Sequence, residues 1–242
     1  MNFNILQTNK TAYPLIFIVI LCIPMLFFDS VYFSANYFNG KHITSFLVIS
    51  ITLYLIWAVP LRLKILMLIM IPLSWLGEYI FSDLLDMYHY REHSIPLYVP
   101  FGHAIVFGTG WLLTQRSMAI KQPKKFKKIL TGFYIISFCF VIFILKDTLS
   151  LFLGVLFFLS LKRKKFLPFY LMMSLIVLYL ELVGTFLGAW KWDAEQGIFK
   201  TVNPPLGAIF FYVGGDMLLG KVTRFSLRQR RKIRNKLNLK TA

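Results

Sequence analysis

The fold is decided by FLPFYLMMSLIVLYLELVGTFLGA, residues 166–189, which follows Lys162-Arg163-Lys164-Lys165 and precedes Trp190-Lys191-Trp192. Within it the one charged residue is Glu181. A helix rising 1.5 Å per residue crosses a hydrocarbon core of ~30 Å in about 20 residues, and this run is long enough to do so. Moving outward, comparable apolar runs lie at 14–34, 43–60, 63–82 and 98–114, and again at 128–145, 148–161 and 203–220. The run at 148–161 is the shortest. None alternates like a barrel strand, and backbone groups in lipid must pair within their own segment, so helices are required. The expectation is an all-α, polytopic membrane helix bundle of about eight transmembrane helices in a single membrane domain, with lipid as its main partner.

Composition agrees. The 242 residues are 57% hydrophobic and 15% charged, more apolar surface than one soluble core hides. A net charge of +17 would suit nucleic acid if it formed one exposed face, but here the basic residues punctuate the apolar runs, so no nucleic acid is expected. Cys22 and Cys139 lie inside apolar runs and read as packing residues. The first run has a single basic residue, Lys10, before it and no small-residue cleavage site after it, and reads as a retained helix.

Cytoplasmic loops collect Lys and Arg, which gives the orientation. One side receives Lys10, Arg62, Lys64, the cluster from Arg116 to Lys128, the cluster from Lys162 to Lys165 and the tail from Lys221 to Lys240. The other receives Lys41, Arg91, Lys146, Lys191 and Lys200 with most of the acids. An even number of crossings with both termini in the cytoplasm satisfies every loop. This predicts a multi-pass protein of a bacterial-type inner membrane.

The halves also align with each other. Glu78, the pair Tyr88 and Tyr90, and Pro100-Phe101-Gly102 match Glu181, the pair Trp190 and Trp192, and Pro205-Leu206-Gly207, and each half then reaches a glycine, Gly110 or Gly215. This suggests a tandem duplication of a four-helix unit, 1–120 and 121–220, followed by a basic tail, 221–242.

Ionisable residues in apolar runs mark the chemistry, because each costs roughly 2.5–3.5 kcal/mol at mid-membrane. Glu78 and Glu181 are the leading catalytic candidates, as an acid and base facing one cavity across the repeat interface. His103, Asp29 and the deeper Asp216 join them. Tyr88, Tyr90, Trp190 and Trp192 normally would form an interfacial belt, but as i, i+2 pairs after each glutamate they are candidate substrate-binding faces for a cation. Asn203 and Tyr212 complete that set. His89, His93 and His103 match no zinc-type spacing, and no Gly-rich phosphate loop is present, so neither metal nor cofactor is expected.

The order of acid, spaced aromatics, polar turn and proline resembles bacterial membrane carotenoid end-group enzymes, the carotenoid hydratases and small-subunit lycopene cyclases. The resemblance rests on Glu78, Tyr88-His89-Tyr90 and Val99-Pro100, and on Glu181, Gly184-Thr185, Gly188-Ala189-Trp190-Lys191-Trp192, Gly197-Ile198 and Pro205. It implies protonation of an isoprenoid double bond, then hydration or cyclisation of a lipid-soluble small molecule. The cyclase type carries adjacent glutamates after the proline, where this chain has Phe101-Gly102 and Leu206-Gly207. A proton-coupled transporter using Glu78, Glu181 and Asp216, and a scaffold without a small-molecule site, are the alternatives from other classes.

Overall fold

The computed structural model describes residues 14–116, 118–162 and 167–238. The orientation expectations that rest on Lys10, on Arg163, Lys164 and Lys165, and on Lys240 lie outside the described residues. The chain is a helical bundle. In order it forms α1 (Pro14–Phe28), α2 (Val31–Asn36), α3 (Lys41–Ala58), α4 (Leu61–Glu78), a π-helical segment (Tyr79–Leu84) and β1 (Tyr88–Tyr90). There follow α5 (Tyr98–Arg116), α6 (Met118–Lys121), α7 (Pro123–Phe143), α8 (Thr148–Leu161), α9 (Leu167–Leu187) and β2 (Trp190–Trp192). A hairpin of β3 (Glu195–Gln196) and β4 (Phe199–Lys200), a 3-10 turn (Leu206–Ala208) and α10 (Ile209–Asn238) complete it.

Local chemistry sets several boundaries. Ser30 caps α2 by accepting the Phe33 N–H at 3.0 Å, and Asp147 caps α8 by accepting the Ser150 N–H at 2.8 Å. Pro123 opens α7, where a missing N–H costs nothing. Gly188, at φ +71°, ends α9 and turns the chain into β2.

Among the described residues, five helical segments are long and apolar enough to cross a membrane: Lys41–Ala58, Leu61–Leu84, Pro123–Phe143, Leu167–Leu187 and Leu206–Phe225. Ile20–Asn36 and Thr148–Leu161 are apolar but shorter. The expected span at 98–114 is the helix α5, whose glycines, threonines and histidine lower its hydropathy. It can afford them because α1, α3, α4 and α9 pack around it. The bundle's outer surface is apolar instead, with Phe186 89% and Trp57 77% exposed. Such a surface belongs in lipid rather than water.

One hydrophobic core surrounds α3, α4 and α5 through Leu63, Leu66, Met67 and Leu112, and a second joins α7, α8, α9 and α10 through Tyr134, Phe157, Val177 and Ile209. The halves meet where α5 packs on α9 and α10 packs on α4. Cys139 departs from its expected role in packing: it is exposed on α7, whereas Cys22 is half-buried.

The aromatic segments expected to be interfacial loops pair instead as two short antiparallel strands, Tyr88 opposite Trp192, His89 opposite Lys191 and Tyr90 opposite Trp190. The Arg91 N–H donates to the Ala189 carbonyl at 3.0 Å and extends the ladder. Sequence periodicity misses strands this short because alternation over three residues is not distinguishable from a belt.

Candidate functional site

Glu78 is the last residue of α4 before its helix widens into the π-helical segment, and Glu181 lies near the end of α9. Both are buried. Glu78 Oε2 accepts from the Tyr88 and Tyr90 hydroxyls, each at 2.5 Å, and its Oε1 lies 2.8 Å from His103 Nε2. Glu181 Oε2 accepts from the indole N–H groups of Trp190 and Trp192 at 2.9 and 3.0 Å, and its Oε1 accepts from the Tyr212 hydroxyl at 2.6 Å. Each carboxyl therefore has two aromatic donors from a neighbouring strand and one further ring from the opening of α5 or α10.

Strand geometry explains the pairing. Side chains at i and i+2 share a face, so Tyr88 and Tyr90 turn inward together, as do Trp190 and Trp192. Gly184 makes room for the second pair. The Trp190 ring lies where a Cβ at Gly184 would stand, so the indole runs along α9 and reaches back to Glu181. The two sets touch: the Tyr88 and Trp192 rings are 4.6 Å apart, and His103 stacks on Tyr212 at 5.3 Å with planes 11° apart. Burial, with the Glu78 charge adding to it, pushes the phenols of Tyr88 and Tyr90 well above their usual range, so both remain protonated donors.

Two cavities flank this wall. Glu78, Tyr88, His103, Val106 and Tyr212 line both. The smaller, about 130 Å³, also reaches Glu181, Tyr90 and Trp190 among residues of α1, α3 and α9. The larger, about 380 Å³, lies between α4 and α10 and also reaches Trp192 and Asp216. Both are lined mostly by apolar side chains, the character of a site for an apolar ligand oriented by a few polar groups.

The other candidates separate. Asp29 is buried in an ion pair with Arg91, 2.7 Å from Oδ1 to Nη2, and its Oδ2 accepts from Tyr98 at 2.8 Å. It lines neither cavity. Asn203 Oδ1 accepts the Trp192 N–H at 3.0 Å and lines neither cavity, so it positions β2. Asp216 stands one helical turn beyond Tyr212 in the larger cavity. At the rim, the Lys41 ammonium bonds Glu92 at 3.0 Å and holds that carboxyl below its ordinary range.

His89 points away from the glutamates, with Nε2 2.9 Å from Asp193 and Nδ1 3.6 Å from Asp86. One ligand atom from each of these three residues lies within 4.8 Å of the others, close enough to hold a metal ion. His103, bonded to Glu78, is not part of this group. Sequence reasoning missed Asp86 and Asp193 here, and missed Arg91 and Tyr98 as partners of Asp29. No family model, curated protein or solved structure matches the chain.

Proposed function

We propose that this chain is an acid–base enzyme of a bacterial-type inner membrane, acting on a lipid-soluble isoprenoid of the carotenoid kind by protonating a carbon–carbon double bond. The observation that carries the reading is the pair of buried carboxyls, each held by aromatic donors, of which Glu78 lines both apolar cavities and Glu181 the smaller. The ring on each Oε1 divides the roles, since both Oε2 atoms accept from two aromatic donors. Glu78 Oε1 meets His103, whose imidazole can carry a proton, so proton delivery is assigned to that pair; Glu181 Oε1 meets the Tyr212 hydroxyl, and proton acceptance is assigned to Glu181. In the proposed reaction the Glu78–His103 pair gives its proton to one alkene carbon. The faces of Tyr88, Tyr90, Trp190, Trp192 and Tyr212 shelter the cation on the other. Water then adds and releases a proton to Glu181, or the cation loses a neighbouring proton to it after cyclisation. Tyr212, bonded to Glu181 and stacked on His103, stands between the acceptor and the donor that must be recharged.

Duplication is part of the same proposal. The packing of α4 on α5 has its counterpart in α9 on α10, α3 on α5 in α8 on α10, and α5 on α9 in α10 on α4. The antiparallel pairing of β1 with β2 also suits two halves related by a two-fold axis. About eight crossings with both termini in the cytoplasm then follow from the distribution of Lys and Arg.

A host supplied with acyclic carotenoids and expressing the wild type, Glu78→Gln or Glu181→Gln tests the reaction by lipid extraction and mass spectrometry. General acid–base catalysis supplies about 10²–10⁴-fold, so either variant should lower product at least about a hundredfold while membrane insertion stays normal. Unchanged lipids with a well-inserted wild type would reject the enzyme for carotenoids. The competing reading, a proton-coupled transporter, draws on Asp216, the third acid that lines the two cavities among the described residues.

A further inference from the structure

Asp216 is 6% exposed, and its Oδ2 has no hydrogen-bond partner among the described residues. A buried carboxyl oxygen left unpaired bears its desolvation cost without return. Every other buried carboxyl among the described residues has a partner: Asp29 has Arg91 and Tyr98, Asp147 has Ser150, and the two glutamates have theirs as described. What surrounds Asp216 is the larger cavity, where Met70, Leu73, Phe81 and Phe210 supply apolar walls. Gly77, Gly214 and Gly215 line it too, and a Cβ at any of them would meet open space. The cavity is thus roomy and apolar, and away from the Glu78 wall its polar side chains are Ser74, whose hydroxyl already bonds the Ile71 and Pro100 carbonyls, and the unpaired Asp216. Asp216 and Tyr212 are four residues apart on α10, about 6 Å along the helix.

We propose that the larger cavity is a second subsite of the same site, taking an apolar chain that carries one hydroxyl, and that this hydroxyl donates to the Asp216 carboxyl. The inference rests on the lipid-substrate reading and narrows it from an isoprenoid hydrocarbon to an isoprenoid alcohol. The hydroxyl anchors the chain on α10, one helical turn from Tyr212, and the remainder threads past His103 and Tyr212 toward the smaller cavity. The anchor fixes which bond meets the proton donor.

The test is binding of farnesol and of its methyl ether to the purified full chain in lipid nanodiscs, followed by ligand-dependent thermal stabilisation. The ether keeps the chain and loses the donor. The wild type should bind the alcohol about tenfold or more tightly than the ether, equivalent to ~1.4 kcal/mol. Asp216→Leu, which removes a group with no partner to strand, should fold normally and bring the ratio close to one. Gly214→Leu, filling the cavity without touching either glutamate, should weaken both ligands. Equal binding of alcohol and ether by the wild type, binding of neither, or an unchanged preference in Asp216→Leu would overturn the subsite. Binding needs no turnover, so the two ideas fail separately. A Glu78-dependent product without hydroxyl preference rejects the subsite alone, and hydroxyl preference without any product rejects the reaction alone.

Discussion

Asp29 and Arg91 meet where α1 ends, with their side chains 2% and 14% exposed. The guanidinium also donates to the Asp29 carbonyl, to Ser34 and to Asn39, so it ties the α1–α2 and α2–α3 connections to the end of β1. Removing one member of a buried pair strands the other charge, at about 3–5 kcal/mol, whereas removing both costs much less. Arg91→Met should therefore lower the thermal stability of the detergent-solubilised protein strongly, and Asp29→Asn combined with Arg91→Met should recover most of the loss. Equal stability of the single and double variants would show that the charge on Asp29 is not what Arg91 compensates. The contrast explains what could be read at this scale. Asp29, Glu78, Glu181 and Asp216 announce themselves because an acid in an apolar run needs a reason. Their partners do not: Arg91 is 62 positions from Asp29, and Asp193 is 104 from His89. Only the folded chain brings such residues together.

Among the elements, α8 depends most on its cap. Asp147 accepts both the N–H and the hydroxyl of Ser150, and Ser150 Oγ in turn accepts the Gly207 N–H at 2.8 Å, so one carboxyl fixes the start of α8 and the entry to α10. Tight packing reinforces the junction, since a Cβ on Gly207 would stand 2.8 Å from that of Leu153. Asp147→Ala removes the cap at a cost of about 0.5–2 kcal/mol and also frees the Ser150 hydroxyl. Thermal unfolding should show a drop of that order. No change would mean that packing at Leu153 and Gly207 holds the helix start without the carboxylate. Most helices were legible from apolar runs, but the run 14–34 is broken at Asp29-Ser30 into α1 and α2, and the last helix starts at Ile209 and continues to Asn238, well past the run 203–220. The strands were not, because what makes Tyr88–Tyr90 and Trp190–Trp192 pair is each other, about one hundred residues apart in a chain whose local pattern reads equally as interface.

For the molecule as a whole, the number of crossings turns on α8. Its 14 residues give a helix of only about 21 Å, shorter than a hydrocarbon core of ~30 Å. Yet Lys146 precedes it and Lys162 follows it, and the positive-inside pattern places these residues on opposite sides. A short helix can still cross if the bilayer thins locally or flanking lysines reach outward, each at modest cost. Single cysteines decide the matter in a chain whose Cys22 and Cys139 have been replaced by serine. His93→Cys and Lys146→Cys should react with a membrane-impermeant maleimide in intact cells. Lys125→Cys and Lys162→Cys should react only after permeabilisation. If Lys146→Cys and Lys162→Cys label on the same side, α8 is re-entrant, the crossings become odd, and the parallel four-helix duplication fails. Labelling of Lys125→Cys in intact cells together with protection of His93→Cys would instead invert the whole bundle, moving the mouth formed by β1 and β2 to the cytoplasmic face.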